Sequence, residues 1–152
     1  LKAAVDENEQ QKELLFRKLW QHYHGDIQGK VVAIWGASFK PGTASIDNAP
    51  SLKIIDALVS QGVKVRVHDP EAMTKLQQYY LNEPLICYSN SPLDAVIGAD
   101  ALLLVTEWPE YWSPDYAQLL DRMRCPLIID GRNIFDKAML QQYGFNYLGV
   151  GR

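Results

Sequence analysis

Val31-Val32-Ala33-Ile34-Trp35-Gly36-Ala37-Ser38-Phe39-Lys40-Pro41-Gly42-Thr43 is the stretch on which the fold turns. Its first five residues, Val31 to Trp35, form an unbroken apolar run. Such a run reads as a strand covered on both faces, the mark of a parallel sheet. A glycine, an aromatic residue and a lysine follow at once, and a helix is expected from Pro50 and Ser51. The loop thus leaves a buried strand at its carboxyl end, where ligands bind in open α/β sheets. A second apolar strand, Pro126 to Ile129, runs into Asp130-Gly131-Arg132-Asn133. Two cations delivered to one sheet edge point to an anionic ligand, most economically a diphosphate.

The flanking sequence alternates regularly. Residues 1–23 read as a helix, with Leu15, Phe16, Leu19, Trp20 and Tyr23 at helical spacing. Its first half, Asp6 to Glu13, is polar nearly all round and is expected to lean on a neighbouring domain or subunit. Gly25 ends that helix. The helix from Pro50 is expected to turn Leu52, Ile55, Leu58 and Val59 inward, with Gly62 past its end. Val63, Val65 and Val67 alternate with basic residues, as in a strand polar on one face. Then come a helix over 71–80, a strand over 85–88, a brief helix from Pro92 and the most apolar strand, 101–105. A helix over 115–124, the strand 126–129, a helix over 136–142 and a strand over 146–150 complete the pattern. The fold class is therefore α/β: a Rossmann-like parallel sheet of about six strands, flanked by helices, in the order 3-2-1-4-5-6. That order sets the first and fourth strands side by side, so the loops 36–50 and 106–113 face each other with Gly131-Arg132 alongside.

Composition narrows the function. The 152 residues are 47% apolar, enough for a domain with a real core. A net charge of −3 argues against nucleic acid or an anionic membrane as partner. No apolar run is long enough to cross a bilayer, and the opening residues carry no signal-peptide pattern. Cys87 and Cys125 lie too far apart for a CxxC or zinc pattern. They read as reduced, packed thiols of a cytoplasmic protein.

Familiar phosphate loops do not account for the first turn. Five residues separate Gly36 from Gly42 and no Lys-Ser/Thr follows, so it is not a Walker A loop, nor is it GxGxxG. Asp69 ends the second strand, where a ribose-binding acid would sit; its alternative is to open the Asp69-Pro70 turn. Lys40 and Arg132 are the ligand-binding candidates, with solvated lysine and pairing to Asp130 or Asp136 as their alternatives. Glu107 and Trp108 are read as pocket wall, with catalysis as the alternative for Glu107. Trp108, Tyr111 and Trp112 are read as wall and core, any one of which could stack on a base or sugar. His68 reads as strand-end packing, and His22 and His24 point to different sides of a helix, so no metal pair is expected.

Three separated motifs carry a resemblance. Gly36-Ala-Ser-Phe-Lys-Pro-Gly-Thr43 with Ala49-Pro50-Ser51, then Thr106-Glu-Trp-Pro-Glu110, then Asp130-Gly-Arg-Asn133 resemble the C-terminal domain of the UDP-glucose 6-dehydrogenases. The likeness extends to Asn8 and Gln11 and to the closing Gly149 to Arg152, and Thr106-Glu107-Trp108 is closest to the UDP-glucose branch. In that family an N-terminal domain holds NAD, a long central helix carries the dimer contact, and the C-terminal domain binds the UDP of the sugar nucleotide. Two hydride transfers to NAD, through a catalytic cysteine, oxidise the sugar C6 alcohol to a carboxylate.

The resemblance implies that residues 1–24 end the central helix and 25–152 form the UDP-sugar-binding domain. It makes Phe39, Lys40 and Arg132 substrate-binding and implies a homodimer. It places no catalytic residue in this chain, since neither cysteine has the required glycine-rich surroundings; the chemistry and the NAD domain are expected outside it. The family loop usually continues Thr-Asp-Asp-x-Arg-Glu, whereas this chain reads Thr43-Ala44-Ser45-Ile46-Asp47-Asn48. Asp47 thus stands where the family places an NAD-contacting arginine. That change keeps open a second reading, a non-catalytic nucleotide-binding or assembly module derived from the same family.

Overall fold

A computed structural model describes residues 13–151. The polar start of the entry helix, Asn8, Gln11 and Arg152 lie outside the described residues.

Six parallel strands form one sheet: β1 (Val31–Trp35), β2 (Lys64–His68), β3 (Ile86–Tyr88), β4 (Ala101–Leu104), β5 (Leu127–Asp130) and β6 (Asn146–Gly149). Their order is β3-β2-β1-β4-β5-β6, as the alternation predicts. β1 lies at the centre, with Val32 beside Val65 on one side and Ala101 on the other. Its period-2 geometry feeds two cores. Val32 and Ile34 join a cluster with Ala101, Leu103, Leu127 and Ile129, while Ala33 and Trp35 join Leu102, Leu104 and Ile128 on the opposite face.

Helices cover both faces. Helix α1 (residues 13–22) and α2 (Pro50–Ser60) and α3 (Met73–Tyr80) close the first core. Helices α4 (Pro92–Ala95), α5 (Tyr116–Arg122) and α6 (Lys137–Tyr143) close the second. Leu19, Ile54, Leu58, Leu76, Leu119 and Leu140 are each fully buried. Burying such a side chain contributes about 1.5–3 kcal/mol, so these contacts fix the helices to the sheet. Asp115 and Asp136 are N-caps of α5 and α6 rather than their first helical residues. Each accepts a backbone N–H three residues on, from Gln118 and Met139 (both 3.1 Å).

Two expectations need correction. α2 buries Ser51, Ile54, Ile55 and Leu58, leaving Leu52 and Val59 only half-buried. The helix is rotated because the Ser51 hydroxyl donates to the Ala37 carbonyl (2.6 Å), which draws its first turn under the β1 loop. Cys87 is exposed, not packed, because β3 is an edge strand whose only partner is β2.

Candidate functional site

The β1 loop begins where two backbones touch. Gly36 has φ +88°, and a Cβ built on it would stand 2.5 Å from the Thr106 carbonyl oxygen. Only glycine allows both the left-handed conformation and this approach of the β1 and β4 loops.

Beyond Gly36 the loop is moulded around a buried carboxylate. Asp69 Oδ2 accepts the N–H groups of Ala37 (2.7 Å) and Ser38 (2.9 Å) and the indole N–H of Trp108 (3.2 Å). Its Oδ1 accepts those of Glu71 and Ala72, 2.9 and 2.8 Å away, at the start of α3. Asp69 is therefore a clamp and opens its turn; it has no oxygen left for a ribose. Ser38, also fully buried, receives Thr106 Oγ1 on its carbonyl (2.7 Å) and Trp108 Nε1 on its hydroxyl (2.9 Å). That hydroxyl donates to the Lys40 carbonyl (3.2 Å).

After this anchor the chain emerges. Phe39 is 50% exposed and Lys40 is exposed, without an ion-pair partner among the described residues. A hydrogen bond from Phe39 N to Ser45 O (2.7 Å) closes the loop behind them. Asp47 is exposed, and its N–H donates to Ser45 Oγ (3.2 Å). It does not cap α2, whose N-cap is Ala49 with no side-chain hydrogen bond.

The second basic loop repeats the design. Asp130, fully buried, accepts from Arg132 N (3.1 Å), Phe135 N (2.9 Å) and the Tyr147 hydroxyl (2.8 Å). Asn133, at φ +55°, exchanges hydrogen bonds with the backbone of Val150, at 2.7 and 2.8 Å. The Arg132 side chain, 48% exposed, donates through Nε to Glu107 Oε2. Glu107, not Asp130 or Asp136, is thus its partner. A cleft of about 30 Å³ is lined by Leu15, Pro50, Ile54, Val105, Gly131 and Arg132.

The aromatic candidates divide. Tyr111 is buried and stacks on Trp35 at 5.0 Å and 17°, while its hydroxyl donates to the His68 carbonyl (3.0 Å). His68 Nδ1 lies 2.8 Å from the same hydroxyl, and burial lowers the His68 pKa, so it packs as a neutral strand-end residue. Trp108 is buried and Trp112 is 55% exposed, with its indole donating to Glu107 O (3.1 Å). Among the described residues no cluster of His, Cys, Asp and Glu is arranged to hold a metal, and no helix is long and apolar enough to cross a membrane.

Sequence reasoning placed Lys40 and Arg132 on one edge and read Asp69 as opening its turn, but missed that Asp69 and Asp130 also shape the two basic loops. The available signal was an acid closing each of two strands directly before a turn: Val67-His68-Asp69-Pro70 and Ile129-Asp130-Gly131.

Residues 33–137 match the UDP binding domain of the UDP-glucose/GDP-mannose dehydrogenase family. The chain belongs to that family. The UDP-glucose 6-dehydrogenase of Pseudomonas aeruginosa is 45% identical to it over 156 residues, covering 100% of this chain and 34% of the relative. That of Rhizobium meliloti is 35% identical over 152 residues, covering 100% of this chain and 34% of its own length. A solved UDP-glucose dehydrogenase from Pyrobaculum islandicum superposes with a TM-score of 0.78 at 25% identity, covering 97% of this chain and 31% of that one. The chain thus spans about a third of the length of the dehydrogenases it matches.

Proposed function

We propose that this chain is the sugar-nucleotide site of an NAD-dependent UDP-glucose 6-dehydrogenase, which converts UDP-glucose to UDP-glucuronate. The carrying observation is that Phe39-Lys40 and Arg132 emerge on one sheet edge from loops built on buried aspartates. Relatives matched along the whole chain are UDP-glucose 6-dehydrogenases. In this reading Lys40 and Arg132 neutralise the diphosphate. The Phe39 ring covers an apolar face of the nucleotide sugar, and the cleft beside Arg132 supplies an apolar wall.

The residues described do not fit NAD within this fold. The β1 turn lacks the glycine fingerprint, and the acid at the β2 end is saturated by its own backbone donors. The dinucleotide and the cysteine nucleophile therefore belong, in this reading, to a domain outside the chain. Cys125 precedes β5 at the amino edge of the sheet, opposite the site, and Cys87 lies within edge strand β3. Helix α1 (residues 13–22) is assigned to the end of the linking helix of a homodimer. The reagents, NAD and a UDP-sugar, set the proposed reaction in the cytoplasm.

The test is UDP binding and NADH production by the intact protein. Lys40→Ala and Arg132→Ala each remove a charge-assisted hydrogen bond, worth about 1.5–3 kcal/mol. Each should weaken UDP binding about tenfold or more in calorimetry. Unchanged affinity in both variants rules out this site. UDP binding without any oxidation of UDP-glucose selects the non-catalytic module instead.

A second expectation concerns Asp47, which is exposed at the loop where family members carry a cation toward NAD. Two like charges about 6 Å apart repel by roughly 1–3 kcal/mol at effective dielectrics between water and about 20. Asp47→Arg should lower both the KM and the calorimetric Kd for NAD several-fold while leaving UDP affinity unchanged. An unaltered Kd for NAD takes this loop out of the cofactor's reach.

A further inference from the structure

We propose that Thr106-Glu107-Trp108 is a positioning crossbar that sets Lys40 and Arg132 relative to each other. The proposal rests on the reading that these two cations share one nucleoside diphosphate. The tripeptide continues β4 as a pinned segment. Val105 N–H donates to Trp35 O (3.0 Å), Trp108 N–H donates to Thr106 O (3.0 Å), and the Thr106 backbone lies against Gly36.

From that segment successive side chains serve different loops. Thr106 and Trp108 both reach Ser38, one to its carbonyl and one to its hydroxyl. Glu107, between them, takes Arg132.

The connection to Lys40 is direct. A serine hydroxyl has one proton to donate. Because Trp108 Nε1 donates to Ser38 Oγ, that oxygen is the acceptor there and its own proton is directed to the Lys40 carbonyl. Every polar atom of Ser38 is engaged: its N–H by Asp69, its carbonyl by Thr106, its hydroxyl by Trp108 and Lys40. The residue two before Lys40 therefore has no alternative arrangement to drift into.

On the other arm, Glu107 holds only the Nε of Arg132. A guanidinium carries five N–H donors, and the four on its terminal nitrogens have no partner among the described residues, which leaves them for bidentate contact with a phosphate. Glu107 orients the arginine without occupying its phosphate-binding fork. Trp108 and Glu107 are positioning residues, each acting through a different cation.

Double-mutant cycles on the intact protein, read as the UDP Kd and stoichiometry in calorimetry, separate this role from a general structural one. Trp108→Phe keeps the ring and removes the donor; Glu107→Gln keeps the shape and removes the charge. Each should weaken UDP binding about 3- to 10-fold with stoichiometry unchanged, in the range of coupled neighbours. The effect of Trp108→Phe should shrink to within about twofold in a Lys40→Ala background and persist in Arg132→Ala, and Glu107→Gln should do the reverse. If Trp108→Phe does not fold, Thr106→Val, which removes the other Ser38 contact, should give the same pattern.

Equal factors in all backgrounds, or loss of stoichiometry at unchanged Kd, overturn the crossbar. Tighter UDP binding in Glu107→Gln overturns it too, since Glu107 would then be a competitor for Arg132. If Lys40→Ala and Arg132→Ala leave the UDP Kd unaltered, the diphosphate site itself fails, and the crossbar with it.

Discussion

Gly36→Ala is expected to lower the melting temperature by on the order of 10 °C or more. Two costs combine. A non-glycine residue held in the left-handed region costs about 1–3 kcal/mol. In addition, the new methyl would stand 2.5 Å from Thr106 O, 2.6 Å from Thr106 Cβ and 2.7 Å from Thr106 N. These atoms cannot retreat easily, because Thr106 is tied to Ser38 by its hydroxyl and its neighbour Val105 to Trp35 O. A total of about 4 kcal/mol or more falls in the exceptional class of single substitutions. At about 2–4 °C per kcal/mol for a domain of this size, that gives the stated shift. Thermal unfolding followed by circular dichroism checks it. A shift of only about a degree or two would show that the β1 and β4 loops are far less tightly apposed.

Asp69→Ala is the second large effect. It strips the acceptor from four backbone N–H groups, those of Ala37, Ser38, Glu71 and Ala72, and leaves the Trp108 indole N–H with Ser38 Oγ alone. A buried donor left unsatisfied costs about 1–3 kcal/mol, and water admitted to the space recovers part of this. The net loss should be about 3–5 kcal/mol in urea unfolding, with no change in the denaturant slope. Asp69→Asn is the informative companion. Its single oxygen can serve the loop or α3 but not both, so it should destabilise as well, by less. A residue whose task was to bind ribose would behave differently: Asp69→Asn would keep full stability and lose only ligand affinity. Stability equal to the unsubstituted protein in both variants removes Asp69 from the framework.

The sheet could be read from the chain because its signals are local. β1 and β4 are continuous apolar runs, and four helix starts carry a proline, serine or aspartate that marks them: Pro50, Pro92 after Ser91, Asp115 and Asp136. Lys40 and Arg132 could be placed on one edge by topology alone. What escaped was set by contacts between distant residues. The partner of Arg132 lies 25 positions away in Glu107, and Trp108 meets Ser38 across 70. Nearby acids looked like partners for Arg132, but Asp136 is used by its helix start, and Asp130 is taken by the backbone N–H groups of Arg132 and Phe135 and by the Tyr147 hydroxyl. The inward stripe of α2 was misjudged for a similar reason. Ser51 is polar, yet a bond to Ala37, 14 positions back, pulls it inside.

The central position of β1 has a kinetic consequence. Its loop owes part of its shape to Thr106 and Trp108, whose bonds to Ser38 span 68 and 70 residues, while Val31 N–H meets Asp100 across 69. Closing loops of that length is entropically slow, and chains dominated by such contacts fold late and cooperatively. With only β1 to β3 in place, Asp69 already holds the N–H groups of Ala37 and Ser38, but the Ser38 carbonyl and hydroxyl still lack Thr106 and Trp108. The loop that carries Lys40 is therefore completed only when the fourth strand docks.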